Sequence, residues 1–575
     1  MEIKDKYYNL CIIIFFAVLS SLMIILGLRY GRLILMFDWL FHSSRAQEIY
    51  NNLQERQIFT FISTSTVQHI GSGTFLFYPT LFLYPWAIIH LITNAVSAYY
   101  IWYGIVTFLT FYIAYICMEK FSGNKLMSLF FSLAYTGNTY RLGIAQHMIG
   151  EFIVAAFLPI VFLGFYEVFF GKKDRWFILS IGMSLVLWTH LLTAFILVEI
   201  FIAILLIYII VSPNRKQIIY RINSLLWSIL LTVVLSVGFL YQFVFEMSSG
   251  KVSTTLLQLL NNSIPNLQEI ILLSLGNSDY MNTHSIGLIL IIALLLGWYF
   301  VKKSKLQLNI YIIGILLLLI SSSIFPWYLF VHTPLILVQM PHRYLLFATL
   351  FLSISASYIF ENLISKYGIN KYIVVVVLAC SFILLYFGSQ AKYYAEIRNY
   401  NPNTYLKKNL SGQSKTLPFA QVDNKNYEYQ FDYKETFGES DYLPQKSVNS
   451  KALDTLINNI AYVNGRKVVT DPQSEPNRII NNLNIDTNGS TIDLPIVAYR
   501  DTYVILNGKK VPFKISERGS VKLNNLLKGK SRIVVGYSPS RVYYYMVGIS
   551  TIGWLVLLIM FIFRRKNAIN YQEIN

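Results

Sequence analysis

Just beyond the first hydrophobic run lie three side chains of the types that move protons and hold anions. They are Asp38, His42 and Arg45, in the stretch Phe37-Asp38-Trp39-Leu40-Phe41-His42-Ser43-Ser44-Arg45. On a helix turning about 100° per residue they fall within roughly 60° of one another, so a carboxylate, an imidazole and a guanidinium share one face. The carboxylate could act as a general base, and the guanidinium could hold a phosphate through two parallel hydrogen bonds. The same spacing also fits an interfacial helix whose charged face only touches water. Further groups of this kind follow at Arg141, His147, Glu151, His190, His332, His342 and Arg343. Arg343 comes after Gln339-Met340-Pro341-His342 and heads a hydrophobic run, where it could meet lipid phosphate in general or one specific phosphate or diphosphate. Glu151 opens another run, where a carboxylate also suits the positive end of a helix dipole. His190 sits in a tight turn that water alone could satisfy, and Glu199 and Glu246 receive no assignment. A divalent metal is compatible with these donors, but no HExxH or comparable spacing supports one.

The elements that must position these groups are membrane helices. Of 575 residues, 55% are hydrophobic, 16% aromatic and only 13% charged, and the apolar residues come in long runs that a soluble globule could not hide. The net charge of +18 does not point to nucleic acid, because Lys and Arg sit in short clusters between apolar runs, where they set orientation. Cys11, Cys117 and Cys380 lie inside hydrophobic runs and form neither a disulfide framework nor a metal motif. The run Leu10 to Leu28 is long for a signal-peptide core and reads as an anchor.

Lys4 and Lys6 place the start of that anchor in the cytoplasm and deliver residues 31 to 96 to the outer side. Residues 74 to 92 are broken by Pro79 and Pro85 and read as interfacial or re-entrant. Spans are then expected at 97–118 and 125–137. The run 177–211 is too long for one crossing and folds into two spans with Thr189-His190 at the outer turn. Basic markers at Lys172-Lys173, Arg215-Lys216-Arg221, Lys302-Lys303-Lys305 and Lys366/Lys371 are cytoplasmic, and an amphipathic piece is expected within Thr254 to Leu275. Residues 391–541 change in composition, becoming polar and rich in Asn, Lys and Tyr, and form an extracytoplasmic domain. Segments 495–499, 502–506, 511–515 and 532–537, with Asn507-Gly508 between two of them, predict strands and a hairpin in a small β-sandwich. Residues 450–464 predict a helix. A last span at 543–563 returns to Arg564-Arg565-Lys566. The result is a polytopic all-α membrane protein of about twelve transmembrane helices with a β-rich outer domain, both termini cytoplasmic. Its parts are a transmembrane domain over 1–390 with outer loop 31–96, the domain 391–541, and a final helix with a basic tail over 542–575.

This order of features resembles the GT-C class of integral membrane glycosyltransferases. The first span is followed by an early acidic residue, Asp38, then by Phe77-Tyr78-Pro79, the turn Phe121-Ser122-Gly123 and a second acidic loop from Arg141 to Glu151. More closely the chain is similar to the bacterial YfhO-like and 6-pyruvoyl-tetrahydropterin-synthase-related membrane proteins. That likeness rests on residues 37–45, Gly150-Glu151 with Pro159, residues 189–194, residues 339–345 and Asp441-Tyr442-Leu443-Pro444. His342 stands where the family usually has an aromatic residue. The pterin in that family name has no counterpart in these residues. The resemblance implies a GT-C-like protein of the bacterial cell membrane that transfers a sugar from a polyprenyl-phosphate donor to an envelope acceptor: a teichoic acid, a polysaccharide or a lipid. Asp38, His42 and Glu151 are then the catalytic candidates. Arg45, Arg141, His147, His190, His342 and Arg343 are the substrate-binding candidates. The alternative is a non-catalytic protein that transports or positions an envelope lipid with the same arginines. An inverting transferase needs a carboxylate at the acceptor hydroxyl and cations at the leaving phosphate, which favours the enzyme. A transporter would more often show inverted repeats with paired half-helices, and none stands out.

Overall fold

The computed structural model describes residues 2–34, 38–171, 173–211, 214–253, 264–278, 284–399, 421–431 and 440–573. In chain order come α1 (Glu2–Tyr30), β1 (Arg32–Ile34), α2 (Trp39–Gln54), α3 (Thr74–Phe77), α4 (Tyr84–His90), α5 (Ala95–Ser122), α6 (Lys125–Thr136) and α7 (Thr139–His147). They are followed by α8 (Ile149–Val154), α9 (Leu158–Phe169), α10 (Phe177–Leu187), α11 (Leu191–Val211), α12 (Arg215–Met247) and α13 (Leu267–Leu275). The helical part closes with α14 (Leu288–Val301), α15 (Lys305–Ile320), α16 (Tyr344–Tyr367) and α17 (Lys371–Asn399). Among the described residues, 7 helices are long and apolar enough to cross a membrane: those ending at Tyr30, Ser122, Val211, Met247, Tyr367, Asn399 and Phe563. Shorter apolar helices occur at Leu81–His90, α9, α10, α14 and α15. This is the construction of a multi-pass membrane protein.

Local chemistry accounts for the breaks. Asn94, Asn124 and Asn138 accept backbone N–H groups at the starts of α5, α6 and α7, and Gly123 closes α5 in the left-handed conformation at φ +67°, which glycine adopts without a Cβ clash. The run 177–211 does split, between α10 and α11, at Trp188 to His190. Residues 74–90 form two short helices and a 3-10 turn, not a span. Of the amphipathic piece expected within 254–275, residues 254–263 lie outside the described residues, and the remainder is α13, capped by Asn266.

The C-terminal β-rich region holds two five-stranded antiparallel sheets, ordered β10-β11-β7-β3-β4 and β5-β6-β12-β8-β9. The strands are β3 (Ile460–Val463), β4 (Arg466–Val469), β5 (Gln473–Glu475), β6 (Arg478–Ile485), β7 (Ser490–Val497), β8 (Thr502–Leu506), β9 (Lys509–Val511), β10 (Lys514–Ile515), β11 (Ser520–Leu526) and β12 (Gly529–Tyr537). Their facing sides bury Ile479, Ile492, Leu494, Val504, Val521, Ile533 and Val535, the period-2 pattern of a sandwich. Two expectations need correction. The helix predicted over 450–464 stops at Ile457, and 460–463 is β3, because Asn464-Gly465 at φ +49° and +79° make a tight hairpin to β4. The strand predicted over 511–515 is two strands in different sheets, broken at Pro512, which has no N–H to donate.

Tertiary contacts weld this domain to the helices. Asn477 Oδ1 accepts from Phe61 N at 2.6 Å, while its Nδ2 donates to Phe59 O at 2.7 Å. Gly73 N–H donates to Tyr499 Oη at 2.8 Å, and Tyr537 Oη donates to Glu246 Oε1 at 2.6 Å. Residues 421–431 pack on the helical side instead: β2 (Gln421–Asp423) pairs with β1, and Trp39 Nε1 donates to Gln430 Oε1 at 2.8 Å.

Candidate functional site

Asp38 occupies the N-cap of α2, and its side chain makes no cap bond. Its backbone is fixed on both sides instead: Asp38 N–H donates to His147 O at 3.2 Å and its carbonyl accepts from His42 N at 3.2 Å. The carboxylate is therefore held in place yet open to solvent, with no partner among the described residues. Surrounding protein desolvates it and pushes its pKa up to about 6, against the lowering effect of the Arg343 charge. An exposed carboxylate with a raised pKa beside a fixed cation is a candidate for proton transfer.

Arg343 approaches the same place from the head of α16. Its Nε lies 2.7 Å from Glu151 Oε1, and its Nη1 donates to Val338 O at 3.0 Å and to Gln339 Oε1 at 2.9 Å. Its Nη2 has no partner among the described residues. Glu151 also accepts from Tyr140 Oη at 3.1 Å. Burial raises the Glu151 pKa to about 7 in spite of Arg343, and the Asp38 charge adds to the rise. Both Glu151 oxygens are thus engaged, which makes Glu151 the group that aims Arg343.

His190 is buried, not solvated at a turn: it is 7% exposed. Thr193 N–H donates to its Nδ1 at 3.3 Å, so the neutral ring carries its proton on Nε2. Burial and Arg343 lower its pKa to about 3. Tyr78 packs beside it at 5.8 Å between ring centroids. The two rings close over Gly150, where an added Cβ would come within 2.4 Å of Tyr78 Oη and 2.8 Å of His190 Cδ2. Tyr442 roofs the group from the segment that leads into the β-rich region. Its backbone is left-handed at φ +64°, its N–H donates to Ser253 O at 2.8 Å, and its ring stacks on Phe77 at 5.4 Å and 6°.

His42 and Arg45 take supporting places. Arg45 Nη1 faces His42 Nδ1 at 3.4 Å, and Nη2 donates to the carbonyls of Tyr78 and Pro79. The guanidinium lies 4.7 Å from the Tyr78 ring centre and 5.0 Å from that of Phe41. Desolvation lowers its pKa only to about 10, so it stays charged, and with burial it keeps His42 neutral. Arg45 therefore clamps the Tyr78-Pro79 element. Arg141 turns away to Thr136 O at 3.2 Å and Thr110 Oγ1 at 3.0 Å, over the Phe152 ring. His147 and His342 gather with a residue the sequence did not mark, His284, whose ring lies 5.0 Å from that of His342 and whose Nδ1 pairs with Glu269 Oε1 at 2.9 Å. Burial, then His284, lowers the His147 pKa to about 4. Among the described residues no group of three or more His, Cys, Asp or Glu could hold a metal ion.

The geometry thus joins Asp38, Glu151, His190 and Arg343, and adds Tyr78, Tyr442, Tyr140 and Gln339. Tyr78 and Tyr442 lie in stretches that carry the resemblance, but no local spacing marks them as site residues. The two unassigned glutamates have partners: Tyr344 Oη donates to Glu199 at 2.7 Å, and Glu246 receives Tyr537. No family model and no curated protein matches the chain.

Proposed function

We propose that the protein is a membrane glycosyltransferase that moves a sugar from a polyprenyl-phosphate donor to a cell-envelope acceptor on the extracytoplasmic side. One observation carries this reading: an accessible carboxylate, Asp38, under the charge of an arginine at the head of a membrane helix. With a pKa near 6, Asp38 is ionised at neutral pH and basic enough to take a proton as a bond forms. The acceptor hydroxyl gives its proton to Asp38 while its oxygen bonds to the anomeric carbon. The bond from that carbon to the phosphate oxygen breaks, and the phosphate leaves with the electron pair. Arg343 meets the charge that develops there, aimed by Glu151, and His190 offers its Nε2–H. His42 and Arg45 hold the floor of the site. No metal or cofactor has a part in this scheme. About twelve crossings, both ends in the cytoplasm of a bacterial cell and the sandwich outside, belong to the same reading. The test is genetic and chemical: deletion should remove one sugar from a purified envelope polymer or lipid, and the wild-type gene should restore it. An envelope of unchanged sugar composition but altered lipid distribution would replace the enzyme by a lipid-positioning protein.

A further inference from the structure

A cavity of about 810 Å³ lies among α5, α6, α9, α11, α15 and α16, at the end of the helices opposite the Asp38–Arg343 site. None of its lining residues is charged. Its inner wall is Met118, Phe131, Phe165 and Leu350, all buried. Its outer rim is apolar and open: Ile207 and Val211 on α11 are 61% and 73% exposed, and Leu316 on α15 is 50% exposed. The opening between those two helices is thus rimmed by exposed apolar residues, a side portal suited to a lipid chain.

Helix geometry ties this cavity to the polar site. Leu350 and Ile354 on α16 follow Arg343 by seven and eleven residues, so at about 1.5 Å per residue they lie roughly 10 and 16 Å below it. On α11, Val211 lies twenty-one residues beyond His190, roughly 30 Å along the axis by the same rise. The cavity thus occupies depths of about 10 to 30 Å from the polar head site, whereas one leaflet of hydrocarbon is only about 15 Å deep. An acyl chain anchored at Arg343 would reach its near edge only.

We infer that this cavity takes the distal part of a polyprenyl chain whose phosphate lies at Arg343, and so selects lipids by chain length. The inference rests on the donor class proposed above. A chain in the bilayer is already out of water, so the hydrophobic effect contributes little; selection comes from packing against the aromatic walls Phe162, Phe165 and Phe351 and from filling a void. The preference is accordingly modest, about tenfold.

The test uses the full-length protein in lipid nanodiscs and two probes, undecaprenyl phosphate and geranyl phosphate, whose chains are long and short. Wild type should bind the long chain about tenfold tighter. Ile354→Trp fills the cavity and Leu316→Trp closes its portal. Leu316→Trp alters only the lipid-facing rim, so it reports even if Ile354→Trp misfolds. Both should lose the preference while binding geranyl phosphate as wild type does. Survival of the preference in folded Leu316→Trp would overturn the inference. So would displacement of undecaprenyl phosphate by dipalmitoylphosphatidylglycerol at equal concentration, which would make this an acyl-chain site. Failure of the donor reading looks different: wild type would bind neither probe, or Arg343→Gln would leave both affinities unchanged.

Discussion

Replacing Asp38 by asparagine keeps the shape of the side chain and removes its charge, and the surroundings of Asp38 make the two effects separable. The carboxylate forms no cap bond and is open to solvent, so among the described residues no hydrogen bond is lost with it. The folded state also desolvates the charge, so at neutral pH its removal should leave stability unchanged or raise it, and any loss of activity is not a loss of fold. Loss of a general base costs about 10² to 10⁴ in rate. A pKa near 6 adds a second signature: wild-type turnover should fall about tenfold from pH 7 to pH 5 as the carboxylate protonates, whereas residual turnover of the variant should lack that limb. The assay is incorporation of radiolabelled sugar into envelope polymers by membranes carrying matched amounts of the two proteins, at several pH values. Near-normal incorporation by Asp38→Asn would remove Asp38 from catalysis. A large loss with an unchanged acid limb would mean that the titrating group lies elsewhere.

Arg343→Lys keeps a positive charge beside Glu151 but gives up the fork that reaches Val338 and Gln339. It should weaken donor use about tenfold or more in a donor titration, and the acceptors left unpaired should lower stability by about 1–3 kcal/mol in thermal unfolding. Gly150→Ala would gain helix propensity in isolation, yet the new Cβ collides with Tyr78 and His190; transfer should fall while the fold survives, at a cost of about 1–3 kcal/mol by thermal unfolding. Glu151 has its pKa raised from 4.5 to about 7, so its contribution to stability is full below 4.5 and is lost as pH rises through 7. Glu151→Gln should flatten the pH dependence of the melting temperature between those values. Finally, Lys173→Cys, in a protein whose three native cysteines are replaced, should resist an impermeant thiol reagent on intact cells, whereas Asn488→Cys in the sandwich should react; the reverse pattern would invert the topology and separate the site from the outer face.

Some of this was legible along the chain and some was not, for physical reasons. A membrane helix announces itself locally, because its own backbone bonds and apolar length suffice, and so the long runs and the break at 188–190 could be read directly. Asn507-Gly508 announces a hairpin for the same reason. The true end of the helix at Ile457 was also written locally, in Asn458-Asn459 and Asn464-Gly465, but the apolar spacing of 450–463 outweighed it. The split at Pro512 needed knowledge of which sheet each half joins. The site is the opposite case. Asp38, Glu151 and Arg343 are separated by more than a hundred residues at each step and meet only because α2, α8 and the head of α16 converge. Each was recognisable as a polar group beside a span; that Glu151 aims Arg343 while Asp38 stays open was not.

Glu48 shows how the β-sandwich is tied to that site. It lies three residues beyond Arg45 on α2 and is fully buried, a costly place for a carboxylate. The cost is offset by three backbone N–H groups and three hydroxyls of Thr64, Ser65 and Thr66, which converge on its two oxygens. Directly after them Val67, Gln68 and His69 all adopt left-handed backbone, at φ +52°, +52° and +59°, which a β-branched valine resists. That turn is what lets Ile70 O accept Val497 N–H at 2.9 Å and places His69 Nδ1 2.8 Å from Ser474 Oγ on the sandwich. The same sandwich, through Tyr499, holds the carbonyl of Tyr442 at 3.1 Å. One helix thus fixes Asp38 at its start and, through Glu48, the strained turn that seats the domain carrying the roof. A displaced sandwich would move Tyr442 relative to Asp38, so the β-domain is part of the site's geometry and not an appendage to it.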